Sequence, residues 1–125
     1  MIFGIGTDII EISRIEKAIN RSRSFCDKIY TAREQDYCNA RNLARFDSYA
    51  ARYAAKEAFF KALGTGYRYG FAFSEIEILN DDLGKPEIQT HGKVLKFREE
   101  KNITQIHLSM SHAKENAVAY VILEK

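Results

Sequence analysis

Arg52-Tyr-Ala-Ala-Lys-Glu57-Ala-Phe-Phe-Lys61-Ala-Leu-Gly-Thr-Gly66 is the stretch on which the fold turns. It is rich in alanine and carries no helix breaker before Gly64, which stands where a left-handed C-terminal cap is wanted. Read backwards, the helical pattern begins at Asn42 and ends at Leu63. Leu43, Phe46, Ala50, Tyr53, Ala54, Ala58 and Phe60 would give that helix a wide buried stripe. A long helix of this kind needs a partner layer, and the flanking segments supply it.

On the N-terminal side, Met1–Asp8 alternates apolar with small residues and reads as a strand. Gly4 and Gly6 mark it for close approach by another backbone. Ser13-Arg-Ile-Glu16 fits a capping box and predicts a helix to about Asn20. Ile15, Ala18 and Ile19 form its apolar face, and Arg14, Lys17 and Arg21 share the opposite one. Thr31-Ala-Arg-Glu34 is a second capping box that opens a short helix to about Asn39. On the C-terminal side, Ser74–Leu79 and Pro86–Thr90 form a hairpin around the turn Asn80–Lys85. Lys93–Lys101 reads as a short helix. Ile106–His112 and Ala117–Leu123 form a second hairpin. The expectation is an α+β fold, an antiparallel sheet packed on one long helix, in one domain spanning residues 1–125.

Composition agrees with a globular chain. Of 125 residues, 46% are hydrophobic and 29% charged, with a single proline, which excludes a disordered polymer, a collagen-like repeat and a Pro-rich linker. No run of about 18 apolar residues exists to span a bilayer, so no membrane partner is expected. The start, MIFGIGTDII, lacks the basic region and cleavage site of a signal peptide. Cys26 and Cys38 match no metal spacing and read as reduced thiols, which predicts a cytoplasmic protein. The net charge of +2 is too small to argue for nucleic acid. Between Arg14 and Arg33, however, six cations face only Glu16 and Asp27.

Two acids stand out as chemistry. Glu57 lies mid-helix with Tyr53, Ala54 and Phe60 one turn away, a costly place for a carboxylate unless it is paired or holds a metal. Its plain alternative is an i,i+4 ion pair with Lys61. Asp8 closes the first strand, where it is either an ordinary turn residue or a ligand. Together the two offer hard oxygen donors of the kind Mg²⁺ takes alongside substrate phosphates and water. Gly64-Thr65-Gly66 could let a phosphate approach backbone N–H groups, although it ends a helix rather than opening one. Arg52, Lys56 and Lys61 could add positive charge for a polyanion or form a solvated helix face. His112, after Ser109 and Ser111, could bind phosphate or cap its strand. Ser111 and His112 are sequence neighbours on opposite strand faces, which argues against a hydrolase triad.

Three segments carry a resemblance: Gly4-Ile-Gly-Thr-Asp8-Ile-Ile-Glu11, the Arg52–Gly66 stretch and Leu108-Ser-Met-Ser-His112, with Gly84-Lys-Pro86 between the last two. Their order, their spacing and the chain length resemble the holo-[acyl-carrier-protein] synthase family, the small bacterial type of 4'-phosphopantetheinyl transferase. The resemblance implies that fold, and transfer of 4'-phosphopantetheine from coenzyme A to a serine of apo acyl carrier protein, with release of adenosine 3',5'-bisphosphate in fatty acid biosynthesis. It implies a Mg²⁺ cofactor held by Asp8 and Glu57, with Lys61 near the reacting phosphates. Arg52, Lys61, Gly64, Gly66, Lys85, Pro86 and His112 match positions expected to contact coenzyme A. It also implies a homotrimer whose active sites are shared between protomers. Arg14, Lys17 and Arg21 then become a docking stripe for an acidic carrier protein, with Phe25 as an apolar anchor or a core residue. The segment Gln35–Ser48 shows no family signature.

Two other readings compete. Tyr67-Arg-Tyr69-Gly-Phe71 sets aromatics beside a cation, as a small basic nucleotide- or RNA-binding module without catalysis would. The carboxylate pair opposes it, because it would repel phosphate unless a metal intervened. A purely structural assembly protein would leave Glu57 without a role.

Overall fold

A computed structural model describes all residues from Met1 to Lys125. The chain runs β1 (Ile2–Glu11), α1 (Ile12–Arg21), α2 (Arg23–Ile29), α3 (Ala32–Asn39), α4 (Arg45–Leu63), β2 (Ile76–Asn80), β3 (Pro86–Thr90), α5 (Gly92–Glu100), β4 (Gln105–His112) and β5 (Asn116–Glu124). The expected α+β architecture is present. β1, β5 and β4 form an antiparallel sheet in that order, and β2 and β3 form a separate hairpin.

α4 is the spine. Its 19 residues bury Ala50, Ala51, Ala54, Ala55, Ala58 and Ala62 against the sheet, with Phe59, Phe60 and Leu63 completing the core. Small side chains let the helix lie low on β1 and β5. Gly64 ends it as expected, with φ of +78° and its N–H bonded to the Phe60 and Lys61 carbonyls.

The inward face of β1 reads Gly4, Gly6, Asp8, Ile10. A Cβ at Gly4 would collide with the Ala62 carbonyl oxygen, and one at Gly6 with the Ala58 carbonyl oxygen and the Ala62 nitrogen. Strand and helix backbones touch, as the two glycines suggested.

The opposite face of the sheet is uncovered. Ile5, Ile9 and Tyr120 are 65%, 66% and 53% exposed. The strand register sets Ile5 beside Ile122, Thr7 beside Tyr120 and Ile9 beside Val118. A β-sheet with one dry face and one bare apolar face is unfinished as a monomer.

Several boundaries differ from the sequence reading. β1 continues to Glu11 because β5 pairs with it to Asn116, and α1 begins at once at Ile12, whose N–H bonds Glu115. Ser13 therefore lies inside α1 and forms no capping box. The Thr31–Glu34 box does form, with both reciprocal hydrogen bonds. α2 was not anticipated, since seven residues are too few for a periodic signal. A 3₁₀ turn at Asn42–Ala44 precedes α4, which breaks the phase and leaves Leu43 99% exposed rather than in the buried stripe.

Because the atoms facing Gly6 are backbone and cannot move aside, Gly6→Ala is expected to cost about 1–3 kcal/mol. Urea unfolding reads this directly; an unchanged midpoint would contradict the close contact.

Candidate active site

The close approach at Gly4 and Gly6 decides what Asp8 meets. Asp8 is the next inward residue on β1, and the helix side chain waiting there is Lys61. The Lys61 ammonium donates to Asp8 Oδ1 at 3.0 Å and to the Thr7 carbonyl at 2.9 Å. Glu57 is one turn earlier on the same helix face. It does not pair with Lys61; its Oε1 accepts a hydrogen bond from the Tyr67 hydroxyl at 2.7 Å. Asp8 accepts no other side-chain hydrogen bond, and the Tyr53 phenol, one turn back on α4, also bears on the Glu57 carboxylate.

The two acids share an electrostatic neighbourhood. Burial raises the Tyr53 phenol, and Glu57 and Asp8 raise it further, while Arg14 pulls it back. Burial likewise holds the Tyr67 phenol above its ordinary range, with Glu57, Tyr53 and Asp8 adding to the effect. Asp8 and Glu57 thus both bear on the Tyr53 and Tyr67 rings, and Arg14, the first basic residue of α1, reaches the Tyr53 side. No third His, Cys, Asp or Glu completes a metal cage. Two carboxylates with no third protein ligand match the donor set of Mg²⁺, which keeps several waters and takes substrate phosphates.

A second group of residues gathers elsewhere. Arg52, Ser48, Asn80, Pro86 and His112 line a cleft of about 340 Å³ that Tyr37 and Arg41 also border. Arg52 is 2% exposed and has no carboxylate partner. It donates to Ser48 Oγ at 3.2 Å and Asn80 Oδ1 at 2.5 Å, and its guanidinium lies 4.3 Å from the Tyr37 ring centre. Its Nε is buried without a partner. A buried cation satisfied only by neutral groups is set to receive an anion. His112 stands at the same cleft, 3.9 Å from Asp47. Lys85 faces the neighbouring cleft with Arg98 and His107.

Within one protomer these groups do not meet. Arg52 and Glu57 are five residues apart, about 140° around the helix. Asp8 and His112 lie on strands at opposite edges of the three-stranded sheet. Gly64 and Gly66 stay with the Glu57 side, with positive φ and nothing within 4 Å of where a Cβ would stand.

Arg14, Lys17 and Arg21 project from α1 into solvent, as the spacing predicts. Phe25 is half-buried, stacked 6.3 Å from Tyr53 and edge-on to Tyr30, so it joins the core wall as well as the surface. Lys56 departs from its reading as ligand charge or solvated face. It is fully buried and donates to Glu34 Oε1 at 2.8 Å and to the Phe73 and Ile76 carbonyls. Glu34 is completed by the N–H groups of Thr31 and Ile78. The pair locks α3, α4 and β2 together. Sequence reasoning missed Tyr37, Arg41 and Ser48 of the cleft, which lie in the segment without signature, and Tyr67 as the partner of Glu57.

A family model described as the 4'-phosphopantetheinyl transferase superfamily matches residues 4–121. A holo-[acyl-carrier-protein] synthase of Ruminiclostridium cellulolyticum is 48% identical over 120 residues, covering 95% of this chain and 90% of that protein. The crystal structure of the holo-[acyl-carrier-protein] synthase of Neisseria meningitidis aligns with a TM-score of 0.90 at 39% identity, over 100% of both chains. That of Bacillus anthracis, in complex with CoA (3',5'-ADP), aligns with a TM-score of 0.80 at 41% identity, over 98% of this chain and 96% of that one. The fold and the match of the family model over residues 4–121 define a phosphopantetheinyl transferase. Within that superfamily, the chain belongs to the holo-[acyl-carrier-protein] synthase family.

The two lysines of α4 are expected to separate experimentally. Lys56→Ala strands Glu34 in the core and should destabilise by about 3–5 kcal/mol. Lys61→Ala removes a half-exposed pair and should cost less than about 1 kcal/mol. Urea unfolding of both variants checks the contrast; equal losses would refute it.

Proposed function

We propose that this chain transfers 4'-phosphopantetheine from coenzyme A to a serine of apo acyl carrier protein, using a divalent cation held by Asp8 and Glu57. The observation that carries the cation site is the gathering of two carboxylates where β1 meets α4, Asp8 held by Lys61 and Glu57 by Tyr67, with no third acid beside them. Mg²⁺ bound there would polarise the diphosphate and offset the charge that develops on its oxygens.

The chain's own groups supply the rest. Lys61 fixes Asp8 and adds positive charge beside the reacting phosphorus. Gly64 and Gly66 leave room for a phosphate to approach the backbone. Arg52, with its unpartnered Nε, offers an anion site for the bisphosphate end of coenzyme A, and His112, Pro86 and Lys85 border it. Arg14, Lys17 and Arg21 would steer an acidic helical carrier protein toward Glu57 and set its register.

The uncovered sheet face supports a homotrimer. Ile5, Ile9 and Tyr120 would be covered by neighbouring copies. The separation of Arg52 and His112 from Asp8 and Glu57 within one protomer supports a site completed across that contact, with the anion cleft of one copy facing the carboxylates of the next. The chain is read as one domain, residues 1–125, because α4 packs on strands from both ends of the sequence.

Carrier-protein mass after incubation with coenzyme A tests this reading. Wild type should add the prosthetic group in Mg²⁺ and not in EDTA. Asp8→Ala and His112→Ala should each lose activity by at least about a hundredfold. Mixed and refolded together, the two variants should regain transfer in sites that unite an intact Asp8 with an intact His112. Mixtures as inactive as either parent would rule out the shared site, and an active Asp8→Ala would rule out the metal assignment.

A further inference from the structure

Tyr67 lies on the segment Gly64–Gly70 that follows α4, and the chain doubles back there. Gly64, Gly66 and Gly70 take φ values of +78°, +58° and +71°, which bend the segment over the helix that precedes it. The Tyr67 ring is 52% exposed. It is nevertheless held on two sides, edge-on to Phe60 at 5.0 Å and tilted on Phe73 at 5.4 Å. Phe60 is itself buried. With the ring so held, the hydroxyl donates to Glu57 Oε1 at 2.7 Å.

We propose that Tyr67 is a positioning residue that holds the Glu57 carboxylate in the orientation in which its other oxygen receives the divalent cation. The inference rests on the reading that Glu57 is a metal ligand. A glutamate on a helix has three side-chain torsions, and a single open oxygen presented in one direction requires that they be held. Asp8 is held in the same way by Lys61, but the two devices differ in charge. An ammonium partly neutralises the carboxylate it grips. A phenol donates a hydrogen bond and leaves the full negative charge for the cation. Lys61, at i+4 from Glu57, would otherwise be free to pair with it; here it is engaged by Asp8 and Thr7. Outer hydrogen bonds of this kind typically govern metal affinity by about 10–100-fold.

Tyr67→Phe keeps the ring contacts with Phe60 and Phe73 and removes only the hydroxyl. The probe is Mn²⁺, followed by electron paramagnetic resonance, titrated into the full-length protein saturated with coenzyme A, without carrier protein. Wild type should bind, Glu57→Gln should lose binding, and Tyr67→Phe should weaken it about tenfold. Coenzyme A affinity and thermal midpoint should stay unchanged in Tyr67→Phe, and saturating Mg²⁺ should restore its kcat. If Glu57→Gln loses Mn²⁺ while Tyr67→Phe binds it as tightly as wild type or more tightly, the positioning role is wrong and the metal reading stands. If Glu57→Gln binds like wild type, the metal reading fails and takes the positioning role with it.

Discussion

Two side chains that are missing set the geometry of this molecule. At Gly4 and Gly6 the backbone of β1 lies directly against the backbone of α4, at Ala58 and Ala62. Any Cβ there would push strand and helix apart. At that separation the next inward residue, Asp8, comes within hydrogen-bond reach of Lys61, one turn from Glu57. Two acids separated by 49 positions in the chain become neighbours through steric necessity rather than through attraction. Their mutual repulsion is tolerated because each has a donor: Lys61 for Asp8 and Tyr67 for Glu57.

The charged residues of α4 show how helix face decides role. Lys56 points inward and forms a buried pair with Glu34, a structural contact with every donor and acceptor satisfied. Lys61 points to β1 and stays half-exposed, available to substrate. Arg52 points to the hairpin side and is buried among neutral partners with one N–H idle. Three cations on one helix thus form a core lock, a half-exposed pair with Asp8 and a buried guanidinium with only neutral partners. Charge counting along the sequence cannot separate them; their partners on other elements do.

Much of the fold was legible in advance, and the errors have local causes. α4 and its Gly64 cap were clear because a long alanine-rich stretch with a terminal glycine has few other solutions. The Thr31–Glu34 box was also clear, because both of its partners lie within one turn. The Ser13–Glu16 box was a false signal: pairing with β5 carries β1 through Glu11, and tertiary hydrogen bonding outweighs a local cap. Leu43 was misassigned because a 3₁₀ turn shifted the helical phase. Of the site, Asp8 and Glu57 were visible as hard donors in unexpected settings, and family resemblance joined them. Tyr67 stood out only as an aromatic beside Arg68; its bond to Glu57 was not visible, since that partner is fixed by the path of a glycine-rich segment and not by any spacing. Ser48 and Asn80 became part of the cleft around Arg52 only when α4 met the end of β2.

The proposed chemistry depends on one cation gripped by Asp8 and Glu57 beside the diphosphate of coenzyme A. A crystal grown with Mn²⁺ and coenzyme A, examined by anomalous scattering, tests this most directly. The expected result is a single strong peak in each site, within coordination distance of both carboxylates and of a diphosphate oxygen. A peak that touches neither acid, or separate peaks on Asp8 and Glu57, would contradict it.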